Sequence, residues 1–147
     1  VTSVLAVDPG GTTGFCLWRG TEDWKAWAEP EPRLAAATIH TRLAARDIDV
    51  LIMENFYITK FTAQKSQDGK VSIELIGVGW YLAPLYDVAF VLQPPSDAKH
   101  FATDAKLKAM GMWTKGVDHP RDATRHALLY VARNNLIDLG ALREALD

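Results

Sequence analysis

Short apolar runs alternate with turn-forming clusters along the chain, and the runs change character from one end to the other. Residues 4–7 are uninterrupted and apolar, close on Asp8 and stop at Pro9-Gly10-Gly11, which predicts a strand buried on both faces and then a tight turn. Residues 15–18 and 24–28 predict two further strands joined by the polar segment 19–23, so the opening reads as an antiparallel meander. After Pro30 and Pro32, residues 34–45 are alanine-rich, with Leu34, Ala37, Leu43 and Ala44 compatible with one packed helical face. Residues 50–53 form a second uninterrupted apolar run that closes on Glu54. A helix leading back into a buried strand is the βαβ pattern and predicts a parallel pair.

Residues 56–70 mix aromatics with Lys60, Lys65 and Lys70, lack a clean period and contain Asp68-Gly69, which predicts an exposed loop. Residues 73–85 predict a helix in spite of Gly77 and Gly79, and residues 88–92 another buried strand. Beyond Gln93-Pro94-Pro95, Ser96 or Asp97 is placed to cap a short helix, and Thr103 or Asp104 a second one running to Ala109. Pro120 suits the first turn of a long helix over residues 121–134, and Gly140 sets off a short terminal helix. The class is α/β: a mixed central sheet, with a three-stranded antiparallel meander followed by parallel strands, flanked by helices.

Composition changes this picture little. The 147 residues, 48% of them hydrophobic and 23% charged, suit a single globular domain over 1–147 without disordered tracts. No apolar run is long enough to span a bilayer and no charged-then-apolar leader opens the chain, so no membrane association and a cytoplasmic setting are expected. One cysteine, Cys16, excludes an intramolecular disulfide and a cysteine-rich zinc site, and its apolar neighbours predict a buried small hydrophobe. The net charge of −2 argues mildly against a nucleic-acid partner. Carboxylates gathered at a metal site would, however, mask a basic face elsewhere.

Such a gathering is what the strand ends suggest. Asp8 and Glu54 each finish an apolar strand, and on parallel neighbours both would reach one sheet edge. Asp118-His119-Pro120-Arg121-Asp122 offers a third contribution: His119 and Asp122 lie three apart, Asp118 and Asp122 four apart. Where the helix begins decides which of the upstream pair points inward. Oxygen-rich sites suit magnesium or manganese, and manganese tolerates an imidazole well. Such ions support phosphodiester hydrolysis by clamping the attacking and leaving oxygens. Taken singly, each acid also has an ordinary use as a turn-former, a solvated side chain or a helix cap.

Val4-Leu5-Ala6-Val7-Asp8-Pro9-Gly10, followed by Thr12, Thr13 and Gly14, resembles the first-strand motif of RuvC-like Holliday junction resolvases in the ribonuclease H-like superfamily. Leu51-Ile52-Met53-Glu54 resembles their second motif, and Asp122-Ala123 leading into Arg125-His126-Ala127-Leu128 resembles their last. The resemblance implies a crossover junction endodeoxyribonuclease with Asp8, Glu54 and Asp122 as ligands to two Mg²⁺ or Mn²⁺ ions. His119 stands where the family usually has another acid, with Asp118 as the alternative. Tyr57, beside Phe56, takes the place of an aromatic that unstacks DNA, and Lys60 and Lys65 on the same loop would hold phosphates. Lys106, with Lys99 and Lys108 nearby, falls where the family keeps a basic residue against the DNA backbone. A homodimer on branched DNA is implied too. The run Ile76-Gly77-Val78-Gly79-Trp80 is open to either a close helix approach at that interface or packing against the core.

The compact chain and His119 would suit a bacteriophage enzyme acting in the bacterial cytoplasm. Alternatives stay open: a related nuclease of the same fold acting on flaps or RNA-containing substrates, and a catalytically dead binder, against which the intact acids argue. The Asp8–Gly14 segment also resembles the phosphate loop of actin, sugar-kinase and Hsp70 ATPases, but those need a second lobe and a second loop, of which there is no copy here.

Overall fold

The first apolar run becomes the centre of a five-stranded sheet. The computed structural model describes residues 2–57, 59, 66–116 and 118–146. Strands β1 (Val4–Asp8), β2 (Thr13–Gly20) and β3 (Asp23–Glu29) form the antiparallel meander, and helix α1 (Pro32–Ala44) crosses to β4 (Val50–Glu54). Helix α2 (Ser66–Leu85) leads to β5 (Ala89–Gln93), followed by α3 (Pro95–Phe101), α4 (Asp104–Ala109), α5 (Asp118–Arg133) and α6 (Leu139–Leu146). The sheet order is β3-β2-β1-β4-β5, with β1, β4 and β5 mutually parallel.

Central position explains the unbroken apolar runs, because β1 is buried along its whole length and alternate residues serve two cores. Leu5 and Val7 join Phe15, Leu51 and Met53 beneath α1 and α2. Val4 and Ala6 join Cys16, Ile52 and the inner face of α5 on the other side. Burial pushes the Cys16 thiol up to about 12, so it is an inert core group.

Several expectations are corrected. The inward stripe of α1 is Ala35, Ile39 and Leu43, repeating every four residues, while Leu34 is 53% exposed. β5 lies at the sheet edge and is only partly buried, although its composition resembles that of the central strands. α2 starts at Ser66, so the end of the expected loop is helical. α3 begins at Pro95 after Pro94 and takes no side-chain cap from Ser96 or Asp97, because the φ of proline is already that of a first helical residue. α4 does start as expected, Thr103 Oγ1 accepting from the Lys106 amide at 3.3 Å, which places Lys106 in the first turn of the helix. α5 begins at Asp118, ahead of Pro120. Among the described residues no helix is long and apolar enough to cross a membrane.

Candidate active site

Parallel pairing of β1 with β4, Val7 opposite Met53, brings Asp8 and Glu54 to the same edge of the sheet. The N-terminal turn of α5 comes down on that edge. Gly14, paired across the ladder with Asp8, makes this approach possible, since a Cβ there would stand 1.9 Å from the His119 carbonyl oxygen. The turn after β1 is held in place by side-chain bonds: Thr13 Oγ1 donates to the Gly10 carbonyl at 3.2 Å and accepts from the Gly10 amide at 3.4 Å, and Ser72 Oγ on α2 donates to the Pro9 carbonyl at 2.9 Å. The result is a cleft of about 320 Å³ whose walls include Asp8, Glu54, Phe56, Ser72, His119 and Asp122.

Asp8 sits at the bottom of the cleft, 9% exposed. Burial, then the charges of Glu54 and Asp122, push its carboxyl up to about 8, with Lys99 opposing them. His119 Nδ1 lies 3.7 Å from Asp8 Oδ2. Asp118 has a 79% exposed side chain, pairs with Arg121 at 3.1 Å and lines an adjoining groove instead. His119 is therefore the one of the two that lines the cleft.

Each of the other acids has a partner of its own. Glu54 Oε2 meets His126 Nε2 at 2.9 Å, and Asp122 Oδ1 meets Arg125 Nε at 3.4 Å. Arg125 is anchored in turn to Asp104 and to the Ala102 carbonyl, which ties the α3–α4 junction to Asp122. Among the described residues, no three His, Cys, Asp or Glu side chains form a group that would hold a metal ion as they stand. The acids share the cleft, but each is turned to its own partner.

The expected DNA-contacting residues separate in space. Phe56 packs against α2, where a Cβ on Gly69 would lie 2.5 Å from its ring, whereas Tyr57 is half exposed. Lys99 lines the adjoining groove of about 460 Å³ with Thr103, Arg121 and Arg125. Lys106 Nζ covers the Phe101 ring at 4.2 Å, and Lys108 covers Trp113 at 4.5 Å. Lys60 and Lys65 lie outside the described residues. Gly79 faces the sheet, its missing Cβ only 2.6 Å from Met53 Sδ, so this glycine serves core packing, while Gly77 has open space over it.

No protein-family model and no curated protein matches the sequence. Solved structures do match the fold. A T. thermophilus RuvC in complex with Holliday junction substrate superposes with a TM-score of 0.71 at 13% identity, covering 92% of this chain and 96% of that one. The chain has the RuvC fold, of the ribonuclease H-like class. A second Thermus thermophilus RuvC structure matches with a TM-score of 0.54 at 20% identity, covering 91% of this chain and 97% of that one. The likeness therefore extends over nearly the whole RuvC chain, from the meander to the last helices.

Within this RuvC fold, His126, Gln93, Arg125 and Gly14 shape the cleft or hold its acids, although the motifs that contain some of them assign them no role of their own. One signal was available. Gln93 closes β5 as Asp8 closes β1 and Glu54 closes β4, and His126 follows Asp122 by four residues on one helix face. Nothing in the sequence marked Gly14 as the place where another backbone touches the sheet.

Proposed function

We propose that the chain is a divalent-cation-dependent endonuclease that resolves four-way DNA junctions. The observation carrying this reading is that Asp8, Glu54, His119 and Asp122 line one cleft at the open edge of a RuvC fold. That one of the matching RuvC structures is a complex with Holliday junction substrate supports branched DNA as the partner.

The donor set fits hard cations: three carboxylates and an imidazole, so placed that burial first, and then the charges of Glu54 and Asp122, push the innermost carboxyl up to about 8. In this reading Asp8, Glu54, Asp122 and His119 hold two Mg²⁺ or Mn²⁺ ions. When bound, such a pair supplies Lewis acidity at both the attacking and the leaving oxygen of a phosphodiester. Lys99, in the adjoining groove, holds backbone phosphates beside the cleft, Lys106 on the next helix adds a second contact to the backbone, and Tyr57 stacks on a base splayed from the junction. Symmetric cutting needs two sites. The outward stripe of α2, with Ile73, Trp80, Tyr81 and Leu85 exposed around the open Gly77, supports a homodimer through this face.

Labelled four-way junctions, flaps and plain duplexes, incubated with Mg²⁺ or Mn²⁺, test the reading. Junctions are expected to be cut in preference to the others, and Asp122→Asn to abolish cutting while leaving junction binding largely intact. Cleavage of none of the three substrates, or full activity in Asp122→Asn, would sink it.

A further inference from the structure

We infer that His126 is a positioning residue that holds the Glu54 carboxylate in the cleft, an inference that rests on the metal-centred reading above. His126 is 1% exposed and lies one helical turn after Asp122 on α5. Its ring bridges two strand ends: Nε2 meets Glu54 Oε2 and Nδ1 meets the Gln93 side chain, both at 2.9 Å. Glu54 and Gln93 are themselves register partners at the ends of β4 and β5.

The chemistry of the groups decides the direction of these bonds. An ionised carboxylate offers only acceptors, so Nε2 donates to Glu54. The Gln93 amide can serve Nδ1 through either its oxygen or its nitrogen. Gln93 is itself 3% exposed, so the ring is held from both sides in a dry environment. Leaving a buried polar group there without its partner is unfavourable, which keeps the ring in this position.

Glu54 needs such a hold. It shares the cleft with Asp8 and Asp122, and its side chain stands at the very end of β4, 23% exposed, where it can swing outward to water. The His126 bond opposes that swing through Oε2 and leaves Oε1 outside this bond. Because Asp122 and His126 belong to one helix, a single rigid element presents one ligand and restrains another. Outer partners of metal-binding carboxylates typically change affinity by about 10–100-fold when removed.

The test is Mn²⁺ binding to the DNA-free protein, read by electron paramagnetic resonance and compared with thermal unfolding. Wild type, His126→Leu, His126→Gln and His126→Asn are measured. The Gln amide reaches the position of Nε2 beside Glu54, whereas the Asn amide reaches only that of Nδ1. His126→Leu is expected to weaken Mn²⁺ binding by about 10–100-fold, His126→Asn to behave like it, and His126→Gln to recover most of the loss. A folded His126→Leu protein with wild-type affinity overturns the inference. So does equal affinity in the Gln and Asn variants, a comparison that decides the matter even if His126→Leu does not fold. If the wild type itself binds no Mn²⁺, the metal-centred reading fails and this inference fails with it.

Discussion

Adding one methyl group at Gly14 perturbs the site from beneath without touching a polar group. Gly14 is the ladder partner of Asp8, and the start of α5 rests on its bare backbone. An alanine Cβ would lie 1.9 Å from the His119 carbonyl oxygen and 2.2 Å from its carbon, whereas ordinary contact begins at 3.4 Å. The first turn of α5 must then retreat by about 1.5 Å, carrying His119 and Asp122 away from Asp8. Overpacking of this kind costs about 1–3 kcal/mol, equivalent to roughly 3 °C of Tm per kcal/mol in a chain of this length. A displacement of about 1 Å at reacting groups can cost on the order of 100-fold in rate.

Gly14→Ala is therefore expected to lose about 100-fold or more in single-turnover junction cleavage, measured well below its lowered Tm. Gly20→Ala is the matched control in the same strand, since a Cβ there meets nothing within 4 Å, and it should keep both activity and Tm. A Gly14→Ala protein that cuts at the wild-type rate would refute the claim that this contact sets the geometry of the site.

Three further outcomes are expected. Because the Asp8 carboxyl is raised in the folded protein to about 8 from an ordinary 3.8, the folded state binds the extra proton between those values. The stability of the metal-free protein is then greatest in acid, as far as this group is concerned, falls as pH rises through that window and levels off above about 8. Asp8→Asn should flatten that decline in a series of thermal melts, and an unchanged slope would show that Asp8 is not its source. Tyr57→Ala is expected to impair cutting of fully paired junctions more than cutting of pre-opened ones; equal losses would count against a base-stacking role. Trp80→Glu, on the exposed stripe of α2, should shift the protein to monomer in sedimentation with a Tm change within about 0.5 kcal/mol equivalent, and a wild-type protein that is already monomeric would remove the homodimer.

Much of the frame is legible in the residues themselves. Uninterrupted apolar runs ending in Asp8 and Glu54 predict central strands with acids at their ends, because a strand buried on both faces needs apolar residues throughout and its first polar residue marks where it leaves the core. The helix carrying Asp122 is equally visible from Pro120 and the apolar period that follows. Composition could not tell the half-exposed edge strand β5 from a buried one, since burial depends on which strand lies next to which. Nor could it choose between Asp118 and His119, because that choice depends on the first turn of α5 and on how closely the turn approaches Gly14.

The sequence by itself thus determined the strand-ending acids and their order along the chain, since local periodicity and turn chemistry are written in neighbouring residues. Only the tertiary structure decided which groups share the cleft with Asp8, and that His126 reaches across to Glu54 and Gln93 from a helix 72 residues away along the chain from the former. Contacts at that separation are set by how the layers pack, and no local pattern records them.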